Sequence, residues 1–227
     1  MAASPVKFIE RRLRTLRRRL LARFFRHLGR HEAAAVQCAS DVPGFCKRDE
    51  LRLLYRSVSS APAPGDIAEI GSWKGRSTIA LARALKDRGV TSCRIFAIDH
   101  HLGSEEHREE IGRCGSTLTI FRRNLRAAGV TGFIEPLVME APKAAEILQD
   151  RGIQLRMLFI DGSHDEDSVR SDIRTFLPLV RPGGIIALHD CELGGVFPGV
   201  WSAFQAELAN RVELIARASS LMVTRRR

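Results

Sequence analysis

A glycine-containing loop carries the first residues whose types and spacing suggest chemistry. Residues 69–77 read Glu-Ile-Gly-Ser-Trp-Lys-Gly-Arg-Ser, and the apolar run 67–70 is typical of a buried strand. A loop that leads from a strand into a helix presents backbone N–H groups at the positive end of that helix, where anionic groups bind. The pattern therefore predicts a ligand site above the end of this strand.

The side chains of this loop distinguish between ligands. In the Gly-x-Gly-x-x-Gly fingerprint of dinucleotide-binding folds, the second glycine lets the pyrophosphate approach the backbone, but Trp73 occupies that place here. Glu69 would repel a pyrophosphate and attract a cationic amine, while the helix N-terminus and Ser77 suit a carboxylate. A ligand with both groups is an amino acid, and S-adenosylmethionine is an amino acid with a sulfonium and an adenosine. The structural alternative is a tight turn capped by Ser72 or Ser77.

A second acid follows the next predicted strand. Asp99 and His100 come directly after the apolar run 94–98. An acid at that place can accept hydrogen bonds from both hydroxyls of a ribose. Together with Glu69 it favours an aminoacyl-adenosine over a dinucleotide, since a plain turn does not explain acids at two successive strand ends.

Acidic and imidazole side chains follow two later predicted strands. Asp161 ends the apolar run 157–160, and His189 and Asp190 end the run 185–188. Neighbouring strands lie about 4.8 Å apart, so these side chains can converge above the sheet. Two carboxylates and an imidazole fit a site for Mg²⁺ or Mn²⁺, although histidine suits Zn²⁺ or Fe²⁺ better. A divalent ion there would lower the pKa of an acceptor hydroxyl and orient it.

A general base completes this scheme. His164 is the first candidate, because the unperturbed pKa of a histidine lies near 6.5. Two alternatives stay open. In one, His164 or Asp161 acts as a base without any metal. In the other, the residues are structural: Asp161 begins a turn, Asp165 caps the next helix and His164 is a satisfied hydrogen-bonding residue.

Residues 65–227 alternate between strand and helix patterns. This alternation predicts an α/β fold, a Rossmann-like doubly wound sheet of about seven strands with helices on both faces. The last two strands are separated by about four residues, too few for a crossover, so the final strand is antiparallel. Strands are expected at 67–70, 94–98, 133–139, 157–160, 185–188, 212–216 and 221–224, and helices at 75–88, 116–128, 142–149, 166–177 and 199–209.

Residues 1–64 precede this domain. Residues 1–30 form a basic amphipathic unit, in which 5–29 place apolar side chains at helical spacing among arginines and Gly29 is predicted to end the helix. Residues 31–64 are expected to be a helical lead-in and a Pro/Ser linker. A basic helix can lie on an anionic membrane surface, dock on its own domain or a second subunit, or serve as a transit peptide. We expect a cytoplasmic protein with membrane contact or dimerisation through 5–29.

Composition and charge exclude several classes of protein. The 227 residues are 44% hydrophobic and 27% charged, which is ordinary for a globular chain. The five cysteines are scattered, which favours free thiols in a reducing compartment. The net charge of +10 lies almost wholly in residues 1–30, which hold ten basic residues against one acid. The remainder is near neutral, so no nucleic-acid partner is expected.

Over about residues 45–225, the chain resembles the class I S-adenosylmethionine-dependent methyltransferases. The resemblance rests on 69–77, Asp99, the terminal hairpin, and the runs Phe-Ile-Asp-Gly-Ser-His at 159–164 and Leu-Pro-Leu-Val-Arg-Pro-Gly-Gly-Ile-Ile-Ala-Leu-His-Asp at 177–190. It is most similar to a small-molecule branch that includes the cephamycin-pathway methyltransferase and macrolide and aminocoumarin sugar O-methyltransferases. This implies an S-adenosylmethionine donor and a hydroxyl acceptor on a sugar, natural product or glycolipid.

The resemblance also implies roles for single residues. Glu69 and Gly71 would meet the methionine amine, Asp99 the ribose, and His100 the edge of the adenine. Glu140 occupies the acidic adenine-side position, where the family more often has Gly-Asp-Ser. The remaining pocket residues would be Ser72, Trp73, Gly75 and Ser77.

Two rival functions remain, and one departure from the family bears on the metal. An RNA or protein methyltransferase is disfavoured by the near-neutral body and by the absence of an Asn/Asp-Pro-Pro-aromatic signature. A non-catalytic S-adenosylmethionine-binding module, recruited by its basic helix, is the second rival. The related sugar and cephamycin enzymes have carboxylates at both positions of the pair that reads His189 and Asp190 here.

Overall fold

The computed structural model describes residues 29–103, 111–112 and 115–227. Apart from Gly29, the predicted basic helix 5–29 lies outside the described residues, so its membrane or dimer contacts stay a prediction. Gly29 does not end a helix as predicted, because helix α1 covers residues 29–40. Alanine-rich sequence favours this helix, and its Glu32 forms ion pairs with Arg52 and Arg56.

A single sheet of seven strands forms the centre of the domain. The strands are β1 (Asp66–Ile70), β2 (Ile95–Ile98), β3 (Ile134–Leu137), β4 (Leu155–Ile160), β5 (Val180–Leu188), β6 (Val212–Ala218) and β7 (Leu221–Arg226). Their order in the sheet is β3-β2-β1-β4-β5-β7-β6. Strands β1 to β5 pair in parallel, whereas β7 is antiparallel to both β5 and β6. The predicted fold class and the closing hairpin are confirmed.

Helices cover both faces of this sheet. They are α2 (Arg48–Ser60), α3 (Arg76–Asp87), α4 (Leu118–Ala127), α5 (Ala141–Asp150), α6 (Glu166–Phe176) and α7 (Pro198–Glu207). Alternate residues of each strand point to opposite faces, so Ile67 joins the apolar cluster under α2, α3 and α4, while Ala68 joins the cluster under α5, α6 and α7. Among the described residues, no helix combines the length and the apolarity needed to cross a membrane.

Strand β5 differs from its predicted bounds. It begins at Val180 rather than at 185, so Gly183 and Gly184 lie inside the strand instead of forming a turn before it. The pairing with β4 shifts register between Leu155 and Met157, which accommodates the extra residues. A Cβ on Gly184 would lie 2.7 Å from Cγ1 of Val180, so this irregular stretch requires a glycine.

The order of the strands places the ligand crevice. Strand β1 lies between β2 and β4, and the chain winds outward from it in opposite directions. In open α/β sheets, ligands bind above the carboxyl ends of the strands at this switch point. Most of the predicted site residues follow β1, β2, β4 and β5 at this edge, whereas Glu69 lies within β1 and Glu140 follows β3.

Candidate active site

A cavity of about 740 Å³ opens above the carboxyl ends of the central strands. Its wall includes Asp99 and His100 after β2, Asp161 after β4, and His189 and Asp190 after β5. The two groups of side chains predicted from the sequence therefore share one cavity. Its volume is within the range of small-molecule sites.

The loop after β1 forms one wall of this cavity. Gly71, Ser72, Trp73 and Ser77 line it, as predicted. Gly71 has a φ of +85°, and a Cβ there would lie 2.0 Å from the carbonyl oxygen of Asp161. The glycine is thus required by the close approach of the backbone after β4.

Asp99 ties this loop to the one after β2. Its Oδ2 accepts a hydrogen bond from the Trp73 backbone N–H at 2.7 Å, and its Oδ1 accepts one from the His101 N–H at 2.6 Å. Each carboxylate oxygen has a second lone pair, so Asp99 can still accept from hydroxyl groups of a ligand.

Two of the predicted cofactor residues, Glu69 and Gly75, do not line the cavity. Glu69 is fully buried behind the wall and accepts a hydrogen bond from Thr78 Oγ1. Burial raises the pKa of Glu69 to about 8, and its Oε1 has no hydrogen-bond partner among the described residues. A Cβ on Gly75 would lie 3.2 Å from the ring of Phe121, so Gly75 serves the packing of α3 against α4.

The opposite end of the cavity carries two acids. Glu140 lines the cavity as predicted, with an exposed side chain at the start of α5. Asp172 on α6 also lines the cavity and was not predicted. Its spacing of three residues from the buried Val169 is a signal that it lies on the inward face of this helix. Burial, with the charges of Glu140 and Asp165 adding to it, raises the pKa of Asp172 to about 7.

The predicted metal ligands form a tight cluster. Nδ1 of His189 lies 3.0 Å from Oδ1 of Asp161 and 2.9 Å from Oδ2 of Asp190. Burial by itself lowers the pKa of His189, but the carboxylates of Asp161 and Asp190 outweigh it and hold that pKa above its usual value. Burial raises the pKa of Asp190, but the close contacts of its carboxylate with the imidazoles of His164 and His189 outweigh burial, so this pKa lies below its usual range.

This donor set fits a divalent cation. Nδ1 of His189 is buried and forms no hydrogen bond, although it lies close to both carboxylates. Adjacent ligands of an octahedral ion with bonds of about 2.1 Å are separated by about 3 Å. Nδ1 of His189 lies at this distance from an oxygen of each carboxylate, and the three ligand atoms all lie within 4.8 Å of one another.

Glu50, which sequence reasoning missed, lies behind His189. The Glu50 side chain is fully buried, and its Oε2 lies 3.2 Å from Nε2 of His189. Burial raises its pKa, but hydrogen bonds from His189 and the Lys47 N–H outweigh this and lower the pKa to about 2. Locally, Glu50 reads as part of a capping box with Lys47, and nothing near it in sequence points to His189.

Cys46 is a second residue that the sequence did not reveal. Its thiol donates to Oδ2 of Asp161 at 3.6 Å. Burial and the charge of Asp161 raise the pKa of this thiol to about 12, so it stays protonated. Arg76 donates to the carbonyl oxygens of Ser40, Val42 and Cys46, which fixes this segment as a cavity wall.

The predicted general base lies beside the cluster. Nε2 of His164 is 3.3 Å from Oδ2 of Asp190, and its ring stacks on Phe197 with centroids 3.8 Å apart. The imidazole is partly exposed and lines the cavity. Asp165 caps α6 by accepting from the Ser168 N–H, as the structural alternative predicted, but Asp161 lines the cavity. The arrangement can therefore orient a ligand hydroxyl and accept its proton.

Comparisons with known proteins show which proteins this chain resembles. One curated relative is 8-demethyl-8-(2,3-dimethoxy-alpha-L-rhamnosyl)-tetracenomycin-C 4'-O-methyltransferase from Streptomyces olivaceus. It is 23% identical over 173 residues, which cover 67% of this chain and 62% of that enzyme. The chain thus matches less than two thirds of that relative's length.

Solved structures share the fold at low identity. The O-methyltransferase NovP has a TM-score of 0.62 and 21% identity, with 79% of this chain and 80% of that chain covered. TomG from Streptomyces achromogenes, involved in tomaymycin synthesis and solved with S-adenosylmethionine, has a TM-score of 0.57 and 22% identity, with 86% and 89% covered. At these identities the likeness shows the fold.

A match to a protein family includes most of the residues that line the cavity. A family model described as a methyltransferase domain matches residues 68–191, which is more than half of the chain. The matched range begins in β1, includes Asp99 and Asp161, and ends just after Asp190. The chain therefore belongs to this methyltransferase family.

Proposed function

We propose that the protein methylates a hydroxyl group of a small molecule, such as a sugar, a natural product or a glycolipid. This proposal rests on one cavity, whose wall includes both the loop after β1 that Asp99 holds in place and the cluster of Asp161, His189 and Asp190. The first part suits an adenosyl amino acid, and the second part suits an acceptor hydroxyl. The Streptomyces olivaceus relative is a 4'-O-methyltransferase, which supports an oxygen acceptor.

The donor half of the cavity holds the adenosyl group by its polar edges. Asp99 accepts from the ribose hydroxyls, and His100 borders the adenine. The backbone N–H groups of the loop and the N-terminus of α3 face the methionine carboxylate. Ser72, Trp73 and Ser77 shape this end, while Glu69 and Gly75 act from behind by supporting the loop.

The acceptor half lowers the cost of removing a proton from an alcohol. A divalent cation bound by Asp161, His189 and Asp190 would act as a Lewis acid that lowers the pKa of the acceptor hydroxyl. His164 takes the proton, and Asp190 stabilises the resulting imidazolium at 3.3 Å. The methyl carbon then leaves sulfur as the carbon–oxygen bond forms, and S-adenosylhomocysteine is released.

The test combines methyl transfer with donor binding. The full-length protein is incubated with S-adenosylmethionine and a panel of glycosides, phenols and glycolipids, and mass spectrometry detects products heavier by one methylene group. We expect an oxygen-linked methyl product that is lost in the His164→Gln variant. A methylated nitrogen or RNA product would contradict the proposal, and donor binding without turnover on any acceptor would favour the non-catalytic binding module.

A further inference from the structure

We propose that Glu50 is a positioning residue that makes His189 a nitrogen ligand, so that the cluster binds a first-row transition ion such as Zn²⁺, Fe²⁺ or Co²⁺ in preference to Mg²⁺. This inference rests on the proposed function, because it concerns the cation of the same site. It goes beyond that function by assigning a role to Glu50 and by choosing between two classes of metal.

The two ring nitrogens of His189 have different surroundings. Nε2 lies 3.2 Å from Oε2 of Glu50, at hydrogen-bond distance. Nδ1 is buried, has no hydrogen-bond partner, and lies between the carboxylates of Asp161 and Asp190. A cation at the cluster would displace the proton that the two carboxylates favour on Nδ1. The N–H of Nε2 then points at Glu50 and the lone pair of Nδ1 faces the cation, which is the usual second-shell arrangement of metal-binding histidines.

Glu50 is held in place more firmly than helix capping requires. Its Oε2 also accepts from the Lys47 N–H at 2.6 Å, and this contact alone would cap α2. Its Oε1 accepts from both the N–H and the Oγ of Ser220, at 3.0 and 2.9 Å. Ser220 lies in the turn between β6 and β7, so the carboxylate is locked from a second element. With the whole side chain buried, its orientation toward His189 is fixed.

The resulting donor set discriminates between cations. Mg²⁺ prefers oxygen ligands in near-ideal octahedral geometry, and a site for it would have a third carboxylate in place of the imidazole. Imidazole nitrogen suits Zn²⁺, Fe²⁺ and Co²⁺, whose affinities for such mixed sites exceed those of Mg²⁺. The substitution of histidine for a carboxylate at position 189, backed by a buried acid, therefore shifts the preference to transition ions.

Cobalt provides the direct test, because its ligand-field absorption reports nitrogen coordination without any turnover. The full-length protein is freed of metal by chelation and titrated with Co²⁺, and Zn²⁺ and Mg²⁺ are then added as competitors. We expect visible Co²⁺ bands that micromolar Zn²⁺ removes and that millimolar Mg²⁺ leaves in place. Glu50→Gln should weaken Co²⁺ binding about 10- to 100-fold, and His189→Asp should abolish the preference over Mg²⁺.

Control variants separate this role from general stability. Asp49→Asn changes the neighbouring acid, which accepts from Ser219 Oγ at 2.8 Å and does not line the cavity, and it should leave Co²⁺ affinity within twofold. If Glu50→Gln does not fold, Ser220→Ala removes one bond to Glu50 and should still weaken Co²⁺ binding. Calorimetry with S-adenosylhomocysteine confirms that each variant keeps its donor site.

Three results would overturn the inference. These are displacement of Co²⁺ by an equal concentration of Mg²⁺, wild-type Co²⁺ affinity in both the Glu50 and the Ser220 variants, and failure of the protein to bind any cation. In the last case His189 would act as an imidazolium between the two carboxylates. Donor binding and the formation of an oxygen-methylated product are measured separately and test the proposed function. Absence of any bound cation would remove only the Lewis-acid contribution from it.

Discussion

The backbone N–H of Trp73 donates a 2.7 Å hydrogen bond to Oδ2 of Asp99, and this bond joins the loops after β1 and β2. The same carboxylate faces the cavity, where we propose that it binds the ribose. In this proposal a single side chain both shapes the donor site and binds the donor.

Removal of this carboxylate should therefore impair donor binding strongly. We expect Asp99→Ala to weaken S-adenosylhomocysteine binding at least about 30-fold, because two loop hydrogen bonds and the ribose contacts are lost together. Calorimetry measures the change. Asp66→Ala is the matched control, since Asp66 accepts from the Arg94 N–H at the opposite end of β1. Equal affinities for wild type and Asp99→Ala would refute the assigned role.

His164 should act on the chemical step rather than on donor binding. Its imidazole lies beside Asp190 at the acceptor end of the cavity. We expect His164→Gln to lower kcat about 10²- to 10⁴-fold, the usual contribution of a general base, with donor affinity changed less than threefold. Steady-state kinetics and calorimetry measure the two quantities. A variant with wild-type kcat would show that another group takes the proton.

Asp172 should make the stability of the protein depend on pH. Burial, then the charges of Glu140 and Asp165, raise its pKa from 3.8 to about 7. The folded state binds this proton more tightly than the unfolded state does. Asp172 therefore lowers the free energy of unfolding as pH rises: the effect is absent below about pH 4, grows between pH 4 and 7, and is complete above pH 7. Asp172→Asn should thus raise the free energy of unfolding at pH 8 by up to about 4 kcal/mol, and little at pH 4.

Urea unfolding at the two pH values checks this prediction. Asp167→Asn, an exposed acid on the same helix, provides the control and should change the free energy of unfolding by less than about 1 kcal/mol. Equal stabilisation by Asp172→Asn at pH 4 and pH 8 would contradict the buried, charge-sensitive carboxyl described for α6.

The described cysteines should differ in reactivity. Burial is the first cause that raises the pKa of Cys46 to about 12, of Cys93 to about 11 and of Cys191 to about 12, whereas Cys38 is partly exposed. The thiolate is the reactive form, so iodoacetamide at pH 8 should alkylate Cys38 and spare the other three. Peptide mass spectrometry, after alkylation of the native protein, identifies which cysteines are modified. Rapid modification of Cys46 would show that its contact with Asp161 opens readily.

The sheet, and the residues at the ends of its strands, could be predicted from the sequence. Alternating apolar runs predicted the parallel strands, and the short link between the last two predicted their hairpin. Because parallel strands end at one edge, the convergence of Asp161 with His189 and Asp190 followed from strand order alone. Their distances confirm that convergence.

Residues that act across long stretches of chain could not be found this way. Glu50 contacts His189 over 139 positions, and no local pattern carries such a pairing. The raised pKa of Glu69 follows from the depth at which the protein buries it, and the spacing of apolar residues in the sequence does not report this depth. Gly29 was misread because a glycine ends a helix only when the following residues do not favour continuing it.

A crystal structure of the full-length protein with S-adenosylhomocysteine tests the central claim most directly. The account predicts that the ribose hydroxyls lie within hydrogen-bond distance of the Asp99 carboxylate, with the sulfur directed at the cluster of Asp161, His189 and Asp190. Density for the ligand elsewhere on the protein, or with its sulfur directed away from this cluster, would contradict the proposed mechanism of methyl transfer.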